Sequence, residues 1–377
     1  MIRQTIARVD LSALAHNARA ILAHVAGQRP GAAPVLVGVV KANAYGHGAA
    51  QAARTLLDAG AGMLAVADLE EAAALRTAGL PGPILVFGAL SLSDLDTVFE
   101  HHLTPTIASP TAARRLQDAA ARRGVRLRYH LEIDTGMNRL GFRHDNLPGT
   151  MPELLAAPNL ELEAVYTHFA TADVPGDELF AAQQRNFETA DRALAALGAR
   201  GYLRHAANSA ALLAERSTWF DLVRPGLLLY GVAPPALAGR VSVKPVMSVR
   251  SRVVAVKGVR SGEIIGYGGR FTAQRPTTMA VVPAGYADGL DTGLAGRGWA
   301  LVRGRRAPIV GSVCMDMIML DVTGIGAEPG DEVVLTGRQG NDEITVAEVA
   351  NWASTIPYEL LCRVGNRVER VYDPAGL

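Results

Sequence analysis

Val35-Leu36-Val37-Gly38-Val39-Val40-Lys41-Ala42-Asn43-Ala44-Tyr45-Gly46-His47-Gly48-Ala49 is the stretch on which the reading of this chain turns. An apolar, β-branched run ends on a lysine, passes through a short polar turn and gives way to a helical pattern over Ala49–Ala59. That is one strand-helix unit. Outward from it the alternation repeats. Met63–Val66 leads to Leu69–Ala78, Ile84–Phe87 to Leu92–Glu100, and Thr104–Ile107 to Pro110–Arg123. Leu127–Ile133, Leu162–Tyr166, Tyr202–His205 and Phe220–Val223 continue the strands, with a long helical pattern at Glu178–Leu197. Eight candidate strands in roughly 225 residues match a TIM-type (β/α)8 barrel, whereas an open doubly wound sheet stops nearer six. The fold class expected is therefore α/β.

Lys41 matters because lysine is scarce here. The chain has three (Lys41, Lys244, Lys257), which leaves 34 arginines among its 37 basic residues. A guanidinium stays protonated and cannot form an imine; an amine desolvated beside apolar strands can lose its proton and attack an aldehyde. A surface lysine at a strand end is the plainer alternative. The barrel supplies a test, since catalytic groups on such barrels gather where strands end. Arg139 follows the fifth strand, His168 the sixth, His205-Ala206-Ala207-Asn208-Ser209 the seventh and Arg224-Pro225-Gly226-Leu227 the eighth, all on the rim that carries Lys41. A phosphate site is expected after the last two strands, where Ser209 offers a hydroxyl and Gly226 and Leu227 offer backbone N–H groups. An imine-forming lysine beside a phosphate cradle implies pyridoxal 5'-phosphate.

After Gly231 the texture changes to short β-branched runs broken by Gly, Pro and Asp: Val249–Val256, Met279–Val282, Ala300–Val302, Ile318–Val322 and Glu332–Leu335, with one helical pattern at Val346–Ser354. The expected organisation is a barrel over residues 11–235 and a mainly β C-terminal domain over 236–377, with Pro234–Gly239 as linker. Composition is that of a globular protein, 49% hydrophobic with 37 basic against 36 acidic side chains, and gives no reason to expect nucleic acid or a polybasic membrane contact. Met1–Leu14 lacks an apolar signal core, no run approaches a membrane span, and Cys314 and Cys362 fit no metal spacing. A cytoplasmic protein without a metal is the expectation.

Nine ordered segments, namely the Lys41 motif, 134–141, 167–172, 205–209, 224–231, 262–271, 282–289, 311–316 and 356–361, resemble the alanine racemase family over nearly the whole chain. The resemblance implies interconversion of L- and D-alanine, for cell-wall supply or catabolism, on a type III pyridoxal-phosphate barrel. It also implies a head-to-tail homodimer with shared active sites and a first strand near Gln4–Val9 (residues 1–10) that joins the β domain. Lys41 then matches the Schiff-base lysine and one catalytic base. Tyr267 matches the second base, supplied by the other subunit. His168, bonded to Arg224, matches the support for the Tyr267 phenolate, and Arg224 matches the donor to the cofactor's ring nitrogen. Tyr45, Ser209, Gly226, Leu227 and Tyr358 match the phosphate shell. Arg139 and the Met315 N–H match the substrate-carboxylate contacts, and Tyr286, with Tyr358, the constriction that favours a small side chain. Asp316 matches the access corridor or a loop anchor. Without the resemblance these tyrosines are ordinary half-buried aromatics.

One position departs from the family. Many members carry a carbamylated lysine seven residues before the carboxylate-binding arginine; here Glu132 stands there. Its carboxylate is expected to pair with Arg139 as a constitutive anion. Serine or broader racemisation remains an alternative, because apolar pockets reject an added hydroxyl by only about a hundredfold. A type III decarboxylase is another, although its partner-chain residue is usually a cysteine where this chain has Tyr267.

Overall fold

The computed structural model describes residues 4–27, 33–88 and 95–373. They form two compact units, one of 14–44 and 49–244, the other of the N-terminal residues to Ala13, Tyr45–Gly48 and the chain from Pro245 onward.

In the first unit eight parallel strands close on themselves. Val35–Val39, Met63–Val66, Ile84–Val86, Thr104–Ile107, Leu127–Asp134, Leu160–Tyr166, Leu203–His205 and Leu222–Val223 pair in sequence order, and the last returns to the first through Leu222 opposite Val35 and Val223 opposite Leu36. This is the expected α/β barrel. Met63–Val66, Ile84–Val86 and Thr104–Ile107 are buried at every residue, because helices cover one face and the lumen the other. Local chemistry sets the helix ends. Asp68 caps Leu69–Thr77, Asp177 caps Glu178–Ala196, and Ser109 caps Pro110–Arg123, which stops at left-handed Gly124. Of the pattern expected at Leu92–Glu100, Asp96–Glu100 is helical and residues 92–94 lie outside the described ones. The helix Leu11–Ala26 was not anticipated, although Leu11, Leu14, Ala18, Ile21 and Val25 bury one stripe at helical spacing.

The second unit is dominated by a ten-stranded sheet in the order Ala255–Val259, Thr277–Val282, Ile318–Asp321, Arg305–Val310, Trp299–Val302, Glu332–Gln339, Met247–Arg252, Ile6–Asp10, Glu369–Asp373, with Asp342–Ile344 beside Glu332–Gln339. Ile6–Asp10 sits between an antiparallel and a parallel neighbour. The single run Val249–Val256 is corrected to two strands: at Val253 and Val254 the backbone bonds turn from Asp331 to Val281, so the chain changes partners there. Ala280, Val282, Leu301, Ile309, Leu320 and Val334 form the core. Among the described residues no helix is long and apolar enough to cross a membrane.

Candidate active site

Because all eight barrel strands are parallel, Lys41, Arg139, His168, Ser209 and Arg224 follow their strands on one rim, with His205 the last residue of its strand. Lys41 opens an unusual turn. Ala42, Asn43, Ala44 and Tyr45 all have φ between 52° and 55°, a left-handed helical turn without glycine. Such backbone is unfavourable by roughly 1–2 kcal/mol per residue and persists only where the surroundings over-determine it. Glu71 helps to do so: one carboxylate oxygen accepts from the N–H of Ala42 and the other from Ala67 at 2.9 Å, while the Asn43 side chain accepts from Ala49 N–H at 2.8 Å. The sequence reading missed Glu71, whose only signal was an acidic first turn.

Below the rim the lumen is polar. Strand register sets Glu132 opposite Tyr166 and Tyr166 opposite His205, a layer across three strands. The Arg224 guanidinium lies over the Tyr166 ring, 5.2 Å from its centroid, and donates to His205 Nδ1 at 2.7 Å and to the carbonyls of Thr167 and Ala206 at 2.8 and 3.2 Å. None of these bonds reaches His168, so the expected His168–Arg224 bond is corrected: the guanidinium's partners are His205 and two carbonyls. The series continues from His205 Nε2 to His130 Nδ1 at 2.9 Å and from His130 Nε2 to Glu163 at 3.2 Å. A guanidinium can only donate, so His205 must accept at Nδ1 and carry its proton on Nε2, and His130 must do the same. Both histidines are fully buried and held neutral, His205 well below its ordinary pKa, by burial first and by the Arg224 charge. His168 is brought down to about 3 by burial and by Arg224, Arg139 and Lys41. Arg224 is lowered to about 10 by burial and remains a cation at neutral pH. The sequence reading gave His130 and Glu163 no role; their signal was polar side chains at alternating positions of two neighbouring strands.

Glu132 is 4% exposed. Its Oε2 has no partner, and burial pushes its pKa up. No ion pair joins it to Arg139, which is exposed on the loop beyond the strand. The expected pairing is therefore absent; a glutamate anchored within the strand has a shorter arm than a carbamylated lysine. Ser209 is buried, and its Oγ accepts from the N–H groups of Gly226 at 2.9 Å and Leu228 at 3.3 Å, which brings hydroxyl and backbone donors together after the last two strands.

The second unit groups the other residues singled out. The Tyr45 and Tyr358 rings lie 6.1 Å apart. A Cβ at Gly46 would lie 2.1 Å from the Leu361 carbonyl oxygen, so only glycine fits beside Tyr45. Tyr267, 76% exposed, shares one open hollow with Tyr286, Met315 and Asp316.

Residues 9–234 match the family model for the alanine racemase N-terminal domain and residues 246–372 that for its C-terminal domain. The chain belongs to the alanine racemase family. A relative so named from Symbiobacterium thermophilum is 41% identical over 373 residues, covering 98% of this chain and 97% of its own. The alanine racemase of a D-cycloserine-producing Streptomyces lavendulae superposes with a TM-score of 0.92 at 34% identity, over 100% of this chain and 98% of that one. That of Bacillus anthracis, solved with bound L-Ala-P, gives 0.90 at 36%, over 100% and 97%. Membership of the alanine racemase family makes the chain an enzyme of that class.

Proposed function

We propose that the protein interconverts L- and D-alanine by two-base proton transfer at Cα, as a homodimer with pyridoxal phosphate as its cofactor. The observation that carries this reading is Lys41 on a strained, braced turn at the rim where Arg224 and the Ser209 cradle also converge. That donor set suits the cofactor: an amine for its aldehyde, a hydroxyl with backbone N–H groups for its phosphate, and a buried cation for its ring. Lys41, Tyr45, Ser209, Arg224, Gly226, Leu227 and Tyr358 would hold it. When bound, pyridoxal phosphate supplies delocalisation of the electron pair left at Cα.

The side chains do the rest. Lys41 takes or gives the proton on one face of Cα, and Tyr267 of the second subunit acts on the opposite face, because inversion requires a proton removed from one side and returned on the other. A tyrosine phenolate near neutral pH needs roughly 4 kcal/mol of stabilisation from its usual pKa of about 10. Arg224, held as a donor by His205, keeps its proton, which limits the lifetime of charge at Cα and favours reprotonation over transamination. Arg139 and the Met315 N–H orient the substrate carboxylate, and Tyr286 and Tyr358 restrict the side chain. Glu132 provides a local carboxyl without carbamylation, so activity should not depend on dissolved carbon dioxide. Incubation with L-alanine, L-serine and L-lysine in heavy water tests the proposal. Loss of optical rotation with deuterium at Cα is expected for alanine first, and no exchange with any of the three would overturn it.

A further inference from the structure

Arg367 belongs to none of the residues singled out above, yet its guanidinium joins two segments that carry them. Nε donates to Asp288 Oδ1 at 3.0 Å, and Nη2 donates to Asp316 Oδ1 at 2.7 Å and to the Met315 carbonyl at 3.2 Å. Asp288 is buried, and its second oxygen accepts from Gly285 N–H at 2.9 Å, so the pair is anchored within the turn that bears Tyr286. The two segments touch backbone to backbone. Tyr286 N–H donates to the Cys314 carbonyl at 3.0 Å and Ala287 N–H to the Met315 carbonyl at 3.1 Å, and a Cβ at Gly285 would lie 2.3 Å from both of those oxygens.

A trans peptide is rigid and its C=O and N–H point in opposite directions. Holding the Cys314 carbonyl therefore aims the Met315 N–H away from the Tyr286 turn. Holding the Met315 carbonyl fixes the next peptide plane, so both planes flanking Met315 are set. Ala287 alone would leave the second plane with one neutral bond; Arg367 adds a charged donor and ties Asp316 to the same cation.

We infer that Arg367, seated on Asp288, is a positioning residue that sets the Met315 N–H and the Tyr286 side chain for substrate. The inference rests on the proposed reading that Met315 and Tyr286 face the substrate. A misplacement near 1 Å can lower activity about a hundredfold, and here it would act on binding of the carboxylate.

The test uses the full-length enzyme with pyridoxal phosphate. Arg367→Ala and Arg367→Lys should each raise KM for alanine at least tenfold while kcat stays within about threefold and the cofactor absorbance is retained, since one ammonium cannot replace the guanidinium fork. Added guanidinium should restore part of KM in Arg367→Ala. Arg306→Lys is the comparison, because Arg306 bridges Asp342 and Glu348 in the same unit without touching this loop; it should lower the thermal midpoint and leave KM alone. Wild-type KM in Arg367→Lys, or an equal KM change in Arg306→Lys, overturns the inference. Tyr286→Ala separates the two levels: an unchanged alanine-to-serine preference removes the underlying reading, whereas an altered preference with a silent Arg367 removes the Arg367 role alone. If Arg367→Ala does not accumulate, Arg367→Lys carries the test.

Discussion

The barrel rim and the loop cluster of the β unit treat their chemical groups in opposite ways. In the barrel, Arg224, His205 and His130 are buried and locked into mutual bonds, and Glu132 is buried beside them in the lumen with one carboxylate oxygen left over. In the β unit, Tyr267, Tyr286 and Met315 are 76%, 45% and 52% exposed, and it is their backbone that is clamped. Groups that must keep a fixed charge or tautomer are desolvated and paired. Groups that meet substrate or another chain are left open on a rigid frame. The contrast accords with a proposed dimer in which each surface supplies half of a site.

Breaking either half should give the largest effect. Lys41→Ala and Tyr267→Ala homodimers should each lose activity by at least the roughly 10²–10⁴-fold that a positioned acid-base group supplies. Borohydride should fix the yellow chromophore to the peptide containing Lys41. In a random equal mixture half of the dimers are mixed, and each mixed dimer has one site with both lesions and one intact, so about a quarter of wild-type activity should return. Verified mixed dimers with no recovered racemisation would rule out pairing of Lys41 and Tyr267 across subunits.

Acid should then find the barrel side of the comparison. His130, His168 and His205 have folded pKa values lowered from the ordinary 6.5, His168 to about 3. The unfolded chain therefore binds more protons below pH 6.5, and stability is full above that value and lost as pH falls below it. The loss is about 1.4 kcal/mol per pH unit for each histidine until its folded pKa is reached. Thermal midpoints measured from pH 7.5 to 5 should fall steepest below 6.5, and His130→Asn should flatten the slope. A midpoint independent of pH across that range would contradict the neutral relay.

The smallest effect is expected at Glu132. Because Oε2 has no partner and no ion pair joins the residue to Arg139, Glu132→Gln should keep the side chain's shape and change stability by no more than about 1 kcal/mol. Activity of the wild type should be equal in carbon dioxide-free and bicarbonate buffer. A KM for alanine raised tenfold in Glu132→Gln would show that Glu132 and Arg139 pair once substrate is bound, and so sharpen the contrast between the locked lumen and the open loops.

Much of this molecule could be read from local pattern. The short β-rich runs 63–66 and 104–107 and the helix Pro110–Arg123 have the bounds expected of them, since strand and helix periods and caps such as Ser109 act within a few residues. The β unit was less legible. Arg305–Val310 and Glu369–Asp373 carry charged residues along strands, and the break at Val253 depends on which distant strand offers the next bond.

What the sequence alone determined was the order of eight strand-helix units, the rim on which Lys41, Arg139, His168 and Arg224 fall, and the family those segments belong to. Tertiary structure decided the partners. Arg224 chose His205 over His168, Glu132 stayed apart from Arg139, Glu71 came to hold the left-handed turn after Lys41, and Arg367 reached Asp288 across 79 residues of chain. The reason is one of range: a periodic pattern is set by neighbours along the chain, whereas a hydrogen bond is made or lost over a few tenths of an ångström between groups that only the folded backbone brings together.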